Sequence, residues 1–169
     1  MATEEFNDAI ALLKADHRKV EDLFEQFESA TGSNAKRKLA EMICNELKVH
    51  ATIEEEIFYP AIRGEIEDDT LDEAYVEHDG AKVLINDILA SGPDEEFYDA
   101  KVKVLSEEIK HHVKEEEQPG DGMFAQAKES GVDLVELCDE MMARKEELMP
   151  QAESNSLPEA QLTAIRLAA

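Results

Sequence analysis

Apolar residues recur along this chain at alternating spacings of four and three, the rhythm of helices that bury one stripe of their surface. The first run is Phe6, Ile10, Leu13, His17, Val20, Phe24 and Phe27, and the turn residues Thr31-Gly32-Ser33-Asn34 end it. A second passes through Ala40, Ile43, Leu47, His50, Glu54, Ile57 and Ala61, with Pro60 and Gly64 marking its close. A third follows Leu71, Tyr75, His78, Ala81, Ile85 and Ile88 to Ser91-Gly92-Pro93. The fourth takes Tyr98, Val102, Leu105, Ile109, His112 and Glu116, then breaks at Pro119-Gly120-Asp121-Gly122. At 1.5 Å per residue each run gives a helix of about 30 Å or more. Short connections favour antiparallel neighbours, so the pattern predicts an all-α, up-down-up-down four-helix bundle.

A weaker pattern through Leu134, Leu137, Met141 and Leu148 predicts a short fifth helix, with Asp133 as its N-cap. Residues 1–149 therefore read as the bundle with one additional C-terminal helix. Residues 150–169, rich in Gln, Ser, Asn, Ala and Pro, read as a tail with one docked turn after Pro158.

The stripes contain residues that do not belong in a core. His17, His50, His78 and His112 fall one per helix, and Glu54 and Glu116 each lie four residues after a stripe histidine, on the same helical face. A single buried histidine is ordinary, and one His-x-x-x-Glu on a helix is weak evidence. Together they are not ordinary, because a buried carboxylate costs several kcal/mol unless it is paired or metal-bound. No lysine or arginine occupies a stripe position to pair with either glutamate. The six side chains fall at depths that an antiparallel bundle can bring to one level. Imidazole with carboxylate suits iron, manganese or zinc, and the lack of cysteine in the set argues against a thiolate site. Six ligands exceed one tetrahedral zinc and suit two metals sharing bridging carboxylates, with positions left open for a small ligand.

Charge and cysteine usage narrow the alternatives. With 41 acidic and 17 basic residues the net charge is -24, which repels phosphate backbones and anionic lipid, so neither nucleic acid nor membrane is an expected partner. No stretch reaches the ~18 apolar residues of a membrane span, and the N-terminal segment lacks a signal-peptide pattern. Cys44 and Cys138 stand far apart with no CxxC, and a reducing cytoplasm is the expected location. No nucleophile, triad or phosphate-binding loop is present, and no HExxH.

Four segments carry a family resemblance: Asp16-His17-Arg18; His50-Ala51-Thr52-Ile53-Glu54-Glu55-Glu56-Ile57-Phe58-Tyr59-Pro60; Glu77-His78-Asp79; and His111-His112-Val113-Lys114-Glu115-Glu116-Glu117. In this order they resemble the hemerythrin-like, HHE cation-binding domain over roughly residues 6 to 126. The resemblance implies a four-helix bundle with a carboxylate- and oxo-bridged pair of Fe ions held by His17, His50, Glu54, His78, His112 and Glu116. It also implies binding of dioxygen, nitric oxide or peroxide, with di-iron enzyme chemistry or iron handling and repair as alternatives; whether the chain is an enzyme stays open at this point. Oxygen-carrying members have a fifth histidine four residues from the third, where this chain has Ala74 and Lys82; Glu55, Glu117 and Tyr59 are the candidates to replace it. The Gln118–Gly122 interruption departs from the family pattern, and Phe124 is placed to supply the aromatic expected after Glu116. His111 lies about 100° round the helix from His112 and reads as either a support behind a ligand or a surface residue. Asp16, Glu77 and Asp79 stand where a carboxylate can accept an outer imidazole hydrogen, although solvated charge is the commoner role for such residues, and Met141 and Met142 read as packing.

Overall fold

The four heptad runs become four long helices. A computed structural model describes residues 5–168, and among them it contains helices, turns and irregular chain with no strand. Helix α1 (Ala9–Ser29) starts where Asp8 accepts the Ala11 N–H at 2.8 Å, an N-cap worth about 1 kcal/mol. Helix α2 (Ser33–Ile53) follows a turn at Gly32, whose φ of 92° is the left-handed conformation that glycine adopts without strain. It continues without a break through one π-helical turn (Glu54–Phe58) and a last α-turn (Tyr59–Ile62). Helices α3 (Asp68–Ala90) and α4 (Tyr98–Glu117) complete the set. α1 packs on α2, α2 on α3, α3 on α4, and α4 returns to α1, so the four close a ring.

The stripes face inward, with one correction. After Glu54 the expected core positions Ile57 and Ala61 are only half-buried, and Phe58, Tyr59 and Ile62 are fully buried instead. The π turn causes the slip. It adds a residue to one turn, shown by the Tyr59 N–H donating to the Glu54 carbonyl five residues back, and this rotates everything beyond it.

The C-terminal region is more structured than the sequence pattern suggests. The Gln118–Gly122 break leads into an unforeseen helix α5 (Met123–Ser130), which seats Met123 and Phe124 in the core. Gly122 turns so tightly that a Cβ there would overlap the Gln118 carbonyl oxygen. Helix α6 (Leu134–Glu153) begins at the expected cap, Asp133 accepting the Glu136 N–H at 3.0 Å, but it is 20 residues long rather than short. It runs through Pro150 and packs on α1 and α2.

Past α6 the chain crosses α2 and α3 as a strap. Described residues beyond Ala152 are exposed or half-buried, and polar anchors hold them. Lys48 donates to the Pro158 carbonyl, Asn86 exchanges two hydrogen bonds of 2.9 Å with the backbone of Ala160, and Lys82 donates to the Gln161 carbonyl. Asp79, fully buried, accepts the successive N–H groups of Thr163, Ala164 and Ile165 at 2.8, 2.6 and 2.6 Å. So the docked length extends from Asn155 to Ile165, well beyond a single turn. Segments with few buried apolar contacts open at low free-energy cost. Asn86→Ala should therefore release the strap alone: the amides of residues 163–165 should lose about tenfold protection in hydrogen exchange, while those of α1 to α4 stay unchanged.

Candidate metal centre

The apolar interior is divided in two. One cluster gathers around Ile10, Leu13, Ile53, Phe58, Leu71 and Phe124, the other around Val20, Phe24, Ile43, Leu47, Ile85 and Leu105. His17, His50, Glu54, His78, His112 and Glu116, all buried, fill the layer between them. The structure brings all six sequence-predicted residues to this one level.

Their arrangement is paired. His17 and His50 place their Nε2 atoms 3.2 Å apart, and His78 and His112 do the same at 3.2 Å. Each glutamate reaches one imidazole of each pair. Glu54 Oε1 is 2.8 Å from His50 Nε2 and 3.4 Å from His78 Nε2. Glu116 Oε1 is 2.8 Å from His112 Nε2 and 3.5 Å from His17 Nε2. Yet neither oxygen of Glu54 or of Glu116 has a hydrogen-bond partner of acceptable geometry, although Glu54 is fully buried and Glu116 is 1% exposed. Imidazole nitrogens and carboxylate oxygens converge on two points, and the convergence is that of donors around cations. Two groups offer suitably placed ligand atoms, His17 with His50 and Glu116, and Glu54 with His78 and His112.

Behind each histidine stands another carboxylate. His50 Nδ1 is 3.0 Å from Asp16, His112 Nδ1 2.9 Å from Glu77, His17 Nδ1 3.6 Å from Glu117 and His78 Nδ1 3.7 Å from Glu55. Such partners hold the ring orientation and turn Nε2 toward a cation. Asp16 and Glu77 thus back imidazoles rather than standing as solvated charge, whereas Asp79 serves the strap. Glu55 and Glu117, candidates to replace the missing histidine, lie behind His78 and His17 instead. Tyr59 does approach the inner side: its hydroxyl lies 3.1 Å from His78 Nε2 and 3.4 Å from His112 Nε2. In an α-helix Glu54 and Tyr59 would point about 140° apart, and the π turn brings both to the centre. Phe124 stacks on His17, ring centroids 5.9 Å apart and planes 9° from parallel, and meets Phe58 edge-on. His111 faces outward.

Two hollows reach this layer. One, of about 410 Å³, is lined by all four buried histidines, by Leu47, Ile85, Ile109 and Val113, and by strap residues Leu157 to Thr163. The other, about 230 Å³ and acidic, opens over Glu116 and His112 from between α3 and α4. Two buried lysines went unforeseen because they lie off the stripes: Lys48 and Lys82, both beneath the strap.

The Hemerythrin HHE cation binding domain matches residues 8–119, and the chain belongs to that family. A hemerythrin HHE cation binding domain-containing protein from Mycobacterium kansasii has the same fold, with a TM-score of 0.72 over 90% of this chain and 96% of its own at 20% identity. A curated protein of Nostoc sp., a DNA nickase, is 28% identical over 106 residues, which are 63% of this chain and 30% of that protein. The match thus covers less than a third of that relative's length.

Without metal, protons take the place of cations. Burial opposes the charged form of His50, but Glu54 and Asp16 outweigh it and raise its pKa to about 10. His17 and His112 are raised likewise, against burial, by Glu116 with Glu117 and with Glu77 respectively. Glu54 is held well below the usual range, against burial, by His50 and His78. A raised histidine contributes stability that is complete below its unfolded value of 6.5 and lost as pH rises through its folded value, about 10 for His50. The lowered Glu54 contributes nothing that changes in that window. Metal-free protein should therefore lose about 5 °C or more in Tm between pH 6.5 and pH 10, and metal-loaded protein should lose much less, as thermal melts with and without chelator would show.

Proposed function

We propose that this chain is a non-haem di-iron protein, its ring of helices an up-down-up-down bundle and its centre a site for dioxygen or a related small ligand such as nitric oxide or peroxide. In this reading the pairs His17 with His50 and His78 with His112, together with Glu54 and Glu116, would hold the two irons. What carries it is the crossed pattern of the glutamates: each buried, unpartnered carboxylate links one imidazole of each pair. A hydrogen-bonded polar core has no need of that symmetry. Bound iron would supply open coordination positions and one-electron redox chemistry.

The chain's own residues supply the rest. Asp16, Glu55, Glu77 and Glu117 keep the four imidazoles aimed inward. The apolar hollow beneath the strap excludes bulk water and suits a small uncharged ligand. Tyr59 supports a second reading, a di-iron enzyme acting on peroxide or nitric oxide. Burial and the nearby Glu116 and Glu54 hold its phenol pKa well above normal, so without metal it stays protonated beside the second histidine pair. It would there donate a hydrogen bond to a bound small ligand or serve as a further residue to hold the metal. No described helix is long and apolar enough to cross a membrane, and the strong negative charge supports a cytoplasmic protein with no nucleic-acid partner. The nicking activity belongs to the much longer Nostoc protein and is not part of this reading.

Iron content and visible spectra, taken on protein reconstituted anaerobically and then exposed to air, test the proposal. The expected result is about two irons per chain; no iron after reconstitution would refute it. A reversible oxygen-dependent band supports the binder, and irreversible oxidation supports the enzyme. Tyr59→Phe should abolish any tyrosinate-to-iron band if the phenol is a ligand, and leave the spectrum unchanged if it only donates a hydrogen bond.

The ligand set makes its own predictions. His112→Ala should lose most of the iron, whereas His111→Ala should retain nearly all of it. Glu54→Ala should likewise lose more than Glu56→Ala, whose carboxylate pairs with Arg144 on the outside.

A further inference from the structure

We propose that the acidic hollow between α3 and α4 is the port through which divalent metal reaches the buried ligands, with Glu77, His111 and Glu115 as its transit site. The inference rests on the reading that the centre binds metal.

The four corners of the centre are not equivalent. Glu117 is paired with Arg18, Asp16 with Lys145 and Glu55 with Lys82. At these three corners a fixed cation neutralises the outer carboxylate and would repel an incoming one. Glu77 has no lysine or arginine within ion-pairing distance among the described residues; its neighbours are two histidines. One oxygen meets His112 Nδ1 at 2.9 Å, and the other lies 3.5 Å from His111 Nε2, which is itself 3.0 Å from Glu115. Ligand atoms of Glu77, His111 and Glu115 all fall within 4.8 Å of one another, close enough to share one hydrated cation. His111 is well exposed, its side chain at 65%.

An acidic cluster on so acidic a protein would mean little alone. Here it leads somewhere. Glu77 and Glu115, with His111 beside them, line the acidic hollow together with Glu67, Glu73 and Asp121, and its floor is His112 and Glu116. Glu116 is 1% exposed and both its oxygens lack a hydrogen-bond partner. The hollow thus ends on a buried carboxylate of the centre that lacks a partner. The larger hollow on the other side sets Lys48, Lys82 and Arg144 among its carboxylates Asp16, Glu55, Glu56 and Glu159, so its charge nearly cancels, whereas no lysine or arginine lines the acidic hollow. Focused negative potential in a cleft raises cation on-rates by about ten- to a thousandfold.

The test is the rate of Fe2+ uptake by metal-free full-length protein, mixed rapidly without oxygen, with Co2+ as an air-stable optical probe. In a port variant carrying Glu73→Gln, His111→Ala and Glu115→Gln, uptake should slow about tenfold while the final metal content matches the unmodified chain. The control Glu25→Gln/Glu28→Gln removes the same two negative charges from exposed positions on α1, and should stay within about twofold. Equal rates in port variant and control overturn the port. So does a lower final metal content in the port variant, which would make these residues ligands rather than a route. An unmodified chain that takes up neither metal overturns the port and the metal-binding reading together. All the substituted side chains reach solvent, and thermal melts establish that the variants fold.

Discussion

Two carboxylates lie at the middle of the molecule with no fixed positive charge beside them, and much of the structure is arranged around that fact. Glu54 and Glu116 cut the apolar core into two halves. An unpaired buried charge costs several kcal/mol, and no hydrogen bond relieves either residue. Imidazoles and the Tyr59 hydroxyl surround them, and imidazoles compensate only by holding protons or by sharing a cation. The ring of helices therefore calls for something positive at its centre, in keeping with the HHE cation-binding family to which the chain belongs.

Specificity comes from the layer outside. Each imidazole is backed by a carboxylate from a different place in the chain: Asp16 behind His50, Glu77 behind His112, Glu117 behind His17 and Glu55 behind His78. Three of these are neutralised in turn by Arg18, Lys145 and Lys82. Lys145 comes from α6, so the C-terminal helix contributes to orienting a residue on α2. The two sides of the centre end up chemically unlike, one mostly apolar with acids and bases that nearly cancel, the other acidic with no lysine or arginine in its walls.

The sequence carried the inner set and little of what surrounds it. Helical period places His17, His50, Glu54, His78, His112 and Glu116 on inward stripes, and the conflict between burial and charge singles them out. Tyr59 was recoverable only as one candidate of three, because a regular helix turns it away from Glu54; the π turn that turns it inward has no period to read. The same turn displaced Ile57 and Ala61 from the core in favour of Phe58 and Ile62. The strap is hard to read from sequence for a different reason. Its hold depends on backbone groups, which every residue carries, and on Asp79, Lys82 and Asn86, which look like ordinary surface residues on α3.

That mode of attachment makes the strap a ruler. Lys48, Lys82, Asn86 and Asp79 engage the main chain of residues 158 to 165, so most side chains there are free to vary without loosening the clamp. What cannot vary is the count of residues from the end of α6 to the amides that Asp79 receives. A single insertion or deletion between Ser154 and Ala160 would shift every anchor out of step, and would be felt more severely than several substitutions in the same stretch.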